Sequence, residues 1–310
     1  MNLRFATRAA ALLTLLAPAA ALGQVRGALP KVFTLPASTR AMALGNAYQP
    51  TARHSDGLFY NPALLVGSTG FGLDVQQWSS TSSSSSVSSV VTWFGGGAGV
   101  GLQVVHYDLP SATVPDGQDH LFSGGPVAVS ERVASLGYAH EVFGVDVGVA
   151  GKLAEMRVGG ARSRVALVDV GVARGVGPVV VGLAVQDLGD RPFAGEESDE
   201  DGGEHETPRI VLGAGAYGAP VGIFDVGFSA AVSRSEARTM AGGGLEVGYW
   251  PVTGRTFLAR VGVQSVPEGS EASPFTFGLA FWGDDLRLEW AYQDFGGGAS
   301  GTHRFGVAWH

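Results

Sequence analysis

The stretch Leu286-Arg287-Leu288-Glu289-Trp290-Ala291-Tyr292-Gln293 decides the fold. Leu286, Leu288, Trp290 and Tyr292 fall on one side of an extended chain, and Arg287, Glu289 and Gln293 on the other. Successive side chains of a strand point to opposite faces, so a period of two describes a β-strand with one apolar and one polar face. The same division recurs upstream. Phe257, Ala259, Val261 and Val263 oppose Arg260 and Gln264; Phe224, Val226, Phe228, Ala230 and Val232 oppose Asp225, Ser229 and Ser233. Val145, Val147, Val149, Gly151 and Leu153 oppose Asp146, Gly148, Ala150 and Lys152. Beyond Gly70 no 3.6-residue stripe persists for more than two turns.

Fourteen segments alternate in this way: 69–78, 87–95, 98–107, 130–141, 144–157, 162–174, 178–187, 207–217, 221–233, 239–250, 255–265, 274–282, 284–294 and 302–310. Most are as long as a strand tilted across a bilayer, roughly 9–11 residues, whereas soluble strands centre near 5–6. Connections after even-numbered segments are tight and glycine-rich, for example Gly96-Gly97 and Gly175 to Gly177. Most of those after odd-numbered segments are long or polar: Ser79 to Ser86, Asp108 to Val129, Leu188 to Glu206, Val266 to Ser273 and Phe295 to Gly301. Two, near Gly159 and Arg234, are short. Short turns at one end and long loops at the other describe an outer-membrane barrel. Closure is required there because lipid offers no partner to an open sheet edge. The expected fold is therefore all-β, a transmembrane antiparallel β-barrel of about 14 strands. Trp78, Trp93, Tyr107, Trp250, Trp282 and Trp309, near segment ends, are expected to form interface girdles.

Composition agrees. The chain has 310 residues, 15 % charged, with 48 glycines and no cysteine. Soluble domains average about 25 % charged residues. The absence of cysteine excludes disulfide scaffolds, thiolate metal sites and cysteine nucleophiles. A net charge of −8 without a basic cluster argues against nucleic acid as a partner. Residues 1–23 run from Arg4 and Arg8 through an apolar core to Ala21-Leu22-Gly23, the order of a secretory signal peptide. No later stretch is long and apolar enough for a membrane helix. The exported chain is thus expected in the outer membrane of a Gram-negative-type bacterium, with lipid and lipopolysaccharide as its surroundings.

Residues 24–68 do not alternate. They contain Arg40-Ala41-Met42-Ala43-Leu44-Gly45-Asn46-Ala47-Tyr48 and, after a spacer, Tyr60-Asn61-Pro62-Ala63. This pair of blocks resembles the opening of PorV/PorQ-type outer-membrane proteins, which are similar to the FadL long-chain fatty-acid transporters. The family's glycine after Asn-Pro-Ala is Leu64 here. The resemblance implies a fourteen-stranded barrel, 69–310, and an N-terminal plug or hatch, 24–68, bearing Arg40, Gly45, Tyr48, Asn61 and Pro62, with Asn61-Pro62 as its hinge. Physical reasoning leads the same way. A barrel of about fourteen strands is too wide to be filled by its own side chains, and Ala41, Ala43, Gly45 and Ala47 permit close backbone approach. A buried Arg40 would need partners; Asp225, Glu246 and Glu289 are the candidates. The terminal pattern Phe305, Val307, Trp309 resembles the last strand read by the barrel-assembly machinery, with His310 in place of a final aromatic.

Enzyme motifs fail on context. Gly213-Ala214-Gly215-Ala216-Tyr217-Gly218 matches G-x-G-x-x-G, but a dinucleotide site needs a helix to start there, and Pro220 and a further alternating segment follow. The seven histidines show no metal-ligand spacing. A hydrolytic site assembled from separate strands would leave no motif. No cofactor is expected. Residues 188–206 carry eight acids and one arginine, which describes a solvated loop; the alternative is an irregular calcium site at Asp199, Asp201 and Glu204, bridging lipopolysaccharide phosphates. Ser79 to Ser89 reads as an exposed hairpin tip.

Two functions follow from the resemblance. One is passive uptake of hydrophobic or amphipathic small molecules, with Asp225, Glu246, Arg260, Gln264, Arg287 and Glu289 lining the path. Arg260 and Arg287 would hold a carboxylate or pair with Glu246 and Glu289. The other is a PorV-like shuttle or docking subunit of a type IX-like secretion system, with a secreted protein as partner. Fold alone does not separate them.

Overall fold

Alternation at every strand closes on itself: fourteen antiparallel strands pair with their sequence neighbours, and β1 pairs with β14. The strands are β1 Gly70–Gln77, β2 Ser83–Trp93, β3 Gly96–Leu109, β4 Val127–Val142, β5 Val145–Val158, β6 Ala161–Val176 and β7 Val179–Gly189. They continue as β8 Arg209–Val221, β9 Phe224–Arg234, β10 Thr239–Val252, β11 Arg255–Gln264, β12 Phe275–Trp282, β13 Leu286–Gln293 and β14 Thr302–Trp309. The structure, a computed structural model, describes residues 30–47, 54–109, 126–159, 161–189, 208–235, 238–266, 272–294 and 301–309. The signal-peptide stretch 1–23, Tyr48, His310 and the acidic residues Asp199, Asp201 and Glu204 lie outside the described residues.

The turns after even-numbered strands are tight. Phe94-Gly95 and Phe143-Gly144 have φ values of 46° and 75°, and 53° and 76°. Two consecutive positive φ values define the hairpin turn whose twist matches its strands. The wide intervals, 110–126 and 190–208, leave from the opposite end. Leu73, Val149, Leu245 and Phe277 are exposed on the outer face, whereas Glu246, Arg260 and Arg287 are buried on the inner one. Period-two parity assigned all of these correctly.

Two expectations are corrected. The serine run is a hairpin tip only over Ser79–Ser82; from Ser83 it is strand β2, with Ser84, Ser86 and Ser88 buried on its inner face. Small hydroxyls suit that face because they meet polar groups inside. Ser88 Oγ bonds Ser55 Oγ at 2.8 Å, and Ser86 Oγ donates to the Ala37 carbonyl. The aromatic girdle is only partial. Trp93, Trp250 and Trp309 are exposed at the tight-turn end. Tyr107 instead shares the inner parity of Val105 and donates to Glu131 at 2.6 Å. Trp282 follows the outward Phe281, so it also points inward, and Trp78 packs partly buried against an inner apolar cluster.

The N-terminal segment occupies the lumen. It comprises α1 Lys31–Thr34, α2 Thr39–Ala43 and two 3-10 turns, Ser55–Phe59 and Pro62–Leu65. Ser38 caps α2 by accepting from the Ala41 N–H at 3.2 Å, and Asn61 caps the second turn by accepting from Ala63 N–H at 3.0 Å. Ala41, Met42, Ala43, Leu44, Leu58, Ala63 and Leu65 are all buried. Glycines on the wall make room for this backbone. A Cβ at Gly244 would lie 2.8 Å from Leu44 Cα, and one at Gly101 would lie 2.6 Å from the Phe59 ring.

Candidate functional site

α2 places Arg40 over the inner face of β10–β13. Its Nη2 donates to Glu246 Oε1 at 2.6 Å. Glu246 and Arg260 are cross-strand neighbours, and Arg260 Nε donates to Glu246 Oε2 at 2.5 Å while Nη2 donates to Glu289 Oε1 at 2.9 Å. Arg287 Nη1 lies 2.5 Å from His54 Nδ1, and Arg40 Nη1 lies 3.1 Å from His54 Nε2. Three guanidinium carbons surround one indole, with Arg40, Arg287 and Arg260 at 5.3, 5.7 and 5.9 Å from the Trp282 ring centroid. An electron-rich indole face attracts cations most strongly where water is excluded. Arg40, Glu246 and Arg260 are essentially inaccessible. Buried charges persist only when paired, and here each carboxylate serves more than one cation or lies among several.

Of the three partners expected for Arg40, the structure therefore assigns Glu246 as the direct acceptor. Glu289 serves Arg260, and Asp225 sits half-buried on the adjacent wall. Of the two arrangements open to Arg260, ion pairing with Glu246 and Glu289 is the one formed. Gln264 belongs elsewhere: it lines a separate cavity described below.

Gly45 ends α2 with φ of +67° and donates its N–H to Thr276 Oγ1 at 3.1 Å. A Cβ there would lie 2.8 Å from the Gly243 carbonyl oxygen, so both conformation and space require glycine. Asn61 is tied to the opposite wall. Its Nδ2 donates to the Val172 carbonyl at 3.1 Å, and Gly171 and Gly182 leave the room for it. Pro62 starts the turn that follows and packs at Gly148.

Three groups of the lumenal segment have perturbed acidity: burial pulls the Lys31 ammonium down, with Glu131 opposing, and Asp56 and Tyr60 are pushed up. Burial pushes the Asp56 carboxyl up, and the Ser38 hydrogen bond opposes that; Glu289 adds repulsion, while Arg287 and Arg40 hold it down. Tyr60 is pushed up to about 12, chiefly by burial. It stays neutral and accepts from the N–H groups of Ala37 and Ser38 at 2.8 and 3.0 Å.

Parity did not anticipate a second charged cluster. Lys152 Nζ lies 2.7 Å from Asp169 Oδ2 and 2.8 Å from Asp187 Oδ1, and Arg209 approaches Asp187 at 3.7 Å. A bulge in the β6–β7 pairing, with Asp187 at φ of 62°, turns both Gln186 and Asp187 inward. The one available signal was that Lys152 and Asp169 lie on the inward parity of β5 and β6.

Between this cluster and the lumenal segment lies a cavity of about 110 Å³. Phe33, Leu35, Phe59 and Tyr60 form one side; Gln186, Arg209, Met240 and Gln264 belong to the other. In the arginine cluster, away from this cavity, Trp282 Nε1 and Arg260 Nη1 are among the buried donors without a hydrogen-bond partner among the described residues.

Fold and lumen together define a fourteen-stranded barrel of outer-membrane type. Compared with solved structures, the chain is similar to the toluene transporter TodX of Pseudomonas putida, at 11 % identity and a TM-score of 0.53, over 86 % of this chain and 95 % of that one. A TodX mutant described as a monoaromatic hydrocarbon channel, deltaS2S3, gives 11 % identity and 0.57 over 84 % and 97 %. The deltaS2 mutant gives 12 % and 0.53 over 89 % and 97 %. No family model and no curated protein matches by sequence. At these identities the likeness concerns the fold.

Proposed function

We propose that this protein is a passive outer-membrane channel for small hydrophobic or amphipathic molecules, with residues 30–47 and 54–68 as its plug. The observation that carries the proposal is the cavity of about 110 Å³ between the lumenal segment and the wall. An apolar rim of Phe33, Leu35 and Phe59 with a few polar groups opposite is the usual make-up of a small-molecule site. Its volume is below the roughly 150 Å³ of a cavity that accommodates benzene, so it limits a ligand to at most one ring or a short chain. The likeness to a toluene transporter favours the same class. PorV/PorQ kinship rests on the two N-terminal sequence blocks, and the docking-subunit alternative gains no observation of its own.

In this reading the Arg40–Glu246–Arg260 cluster holds the plug shut. A shift of α2 opens the lumen, and the walls of the cavity carry the cargo inward. Uptake of labelled monoaromatic compounds and of labelled long-chain fatty acids by cells lacking the barrel tests this. A deficit in either, restored by the wild-type gene, is expected. Normal uptake of both overturns the proposal.

A further inference from the structure

The outer face of β4–β6 carries a second feature, unrelated to the lumen. Cross-strand pairing aligns Arg132, Glu155 and Arg164 in one row, and Ser130, Arg157 and Arg162 in the next. All of these point away from the lumen, because Glu131, Val133, Ala154 and Val165 hold the buried parity. Arg157 and Arg162 are each 44 % exposed and Arg164 is 57 % exposed. Glu155 is the one acid in the two rows. It accepts from Arg157 Nε at 2.7 Å and from Arg162 Nε and Arg164 Nε at 2.8 Å each. The group of four arginines and one glutamate therefore keeps a net charge of +3. Each guanidinium has five N–H donors in a planar fork; Arg157, Arg162 and Arg164 direct one or two of theirs at Glu155.

Position selects the ligand. The rows on the tight-turn side of the cluster are apolar: Ala134, Leu153 and Ala166, then Leu136, Gly151 and Val168, then Tyr138, Val149 and Val170. Rows are about 7 Å apart along the strands. The arginines thus begin where the apolar band ends, at the end of the barrel from which the interval 110–126 leaves. In an outer-membrane barrel that end faces outward, and a group reaching these arginines from the side has its acyl chains against the band below. Planar guanidinium forks match phosphate oxygens.

We infer that Arg132, Arg157, Arg162 and Arg164 form a binding site for the phosphorylated headgroup of an outer-leaflet lipid, the lipid A phosphate. Glu155 occupies donors of three of the guanidiniums and offsets part of their charge, so it competes with an incoming phosphate. The inference rests on the outer-membrane reading, and its test separates the two.

Native mass spectrometry of the full chain in detergent is run with bis-phosphorylated lipid A, with the same lipid after dephosphorylation, and with inorganic phosphate. The wild-type protein is expected to retain the phosphorylated lipid. Retention by Arg157→Gln/Arg162→Gln/Arg164→Gln falls at least about tenfold, which is 1.4 kcal/mol. The dephosphorylated lipid behaves as the variant does, and inorganic phosphate does not compete at equal concentration. Glu155→Gln, which removes the internal acid, raises retention, and it decides the matter if the triple variant misfolds. Equal retention of both lipids, competition by inorganic phosphate, or no gain with Glu155→Gln overturns the site. Heat-dependent gel mobility and incorporation into vesicles report the membrane reading independently; their failure overturns that reading rather than the arginine site alone.

Discussion

Both halves of the lumenal segment sit against wall glycines, but only one of them carries a buried ion cluster as well. On one side α2 meets β10–β13 through ions: Arg40, Glu246, Arg260 and Glu289, gathered beneath Trp282. On the other, Leu58, Leu65 and Pro62 press into the space left by Gly137, Gly97 and Gly148. An apolar side chain seated in a glycine groove has no substitute partner; leaving it costs burial and opens a cavity. A buried ion pair is different. Its attraction is largely offset by desolvation, but a partner can leave only where another polar or charged group takes its place. If the segment acts as the plug proposed above, the comparison makes the Arg40 side the one expected to move and the Leu65 side its anchor.

Four changes break or sharpen that contrast. Arg260→Ala removes the one cation shared by Glu246 and Glu289 and leaves buried acids under-compensated. A loss of about 3–5 kcal/mol is expected in urea unfolding of the vesicle-inserted barrel; a loss no larger than that of an exposed arginine would show that the cluster is hydrated. Leu65→Ala should cost about 2–4 kcal/mol by the same measurement and leave single-channel conductance unchanged. Arg40→Gln removes one charge-assisted bond, worth about 1.5–3 kcal/mol, while Arg260 still serves Glu246. Its expected signature is the reverse of Leu65→Ala: raised open probability with a smaller stability change. Equal conductance in the two variants would erase the distinction between the halves.

The smallest effect concerns pH. Burial raises the Asp56 pKa in the folded state, so the folded protein binds a proton there more readily than the unfolded chain does. Its stabilisation is complete in acid and declines as pH rises through the carboxylate range. Hydrogen-exchange protection of residues 54–66 should fall as pH rises above the ordinary carboxylate range, and Asp56→Asn should flatten that slope. Protection that rises with pH in the wild type would contradict the assignment.

Much of the site was legible because a strand obeys one simple parity. Glu246, Arg260, Arg287 and Glu289 were placed inside by counting from their apolar neighbours, and Arg40 was singled out as a charge in a segment that must be buried. Parity was silent where the ladder breaks. Asp187 lies on the outward count of β7 and reaches the lumen only because a bulge shifts the register there. Trp282 and Tyr107 looked like girdle residues because aromatic character is easy to see; their inward parity was there to be counted and decided otherwise.

By itself the amino-acid sequence determined the number of strands and, wherever the ladder runs without a bulge, the face each residue takes, because alternation is local and every segment repeats it. Only the tertiary structure decided which charges meet. Arg40 and Glu246 lie on unrelated elements, and Lys152, Asp169 and Asp187 come from three strands. Closure of the barrel brings them together, and the exclusion of water from the lumen makes each depend on its partner.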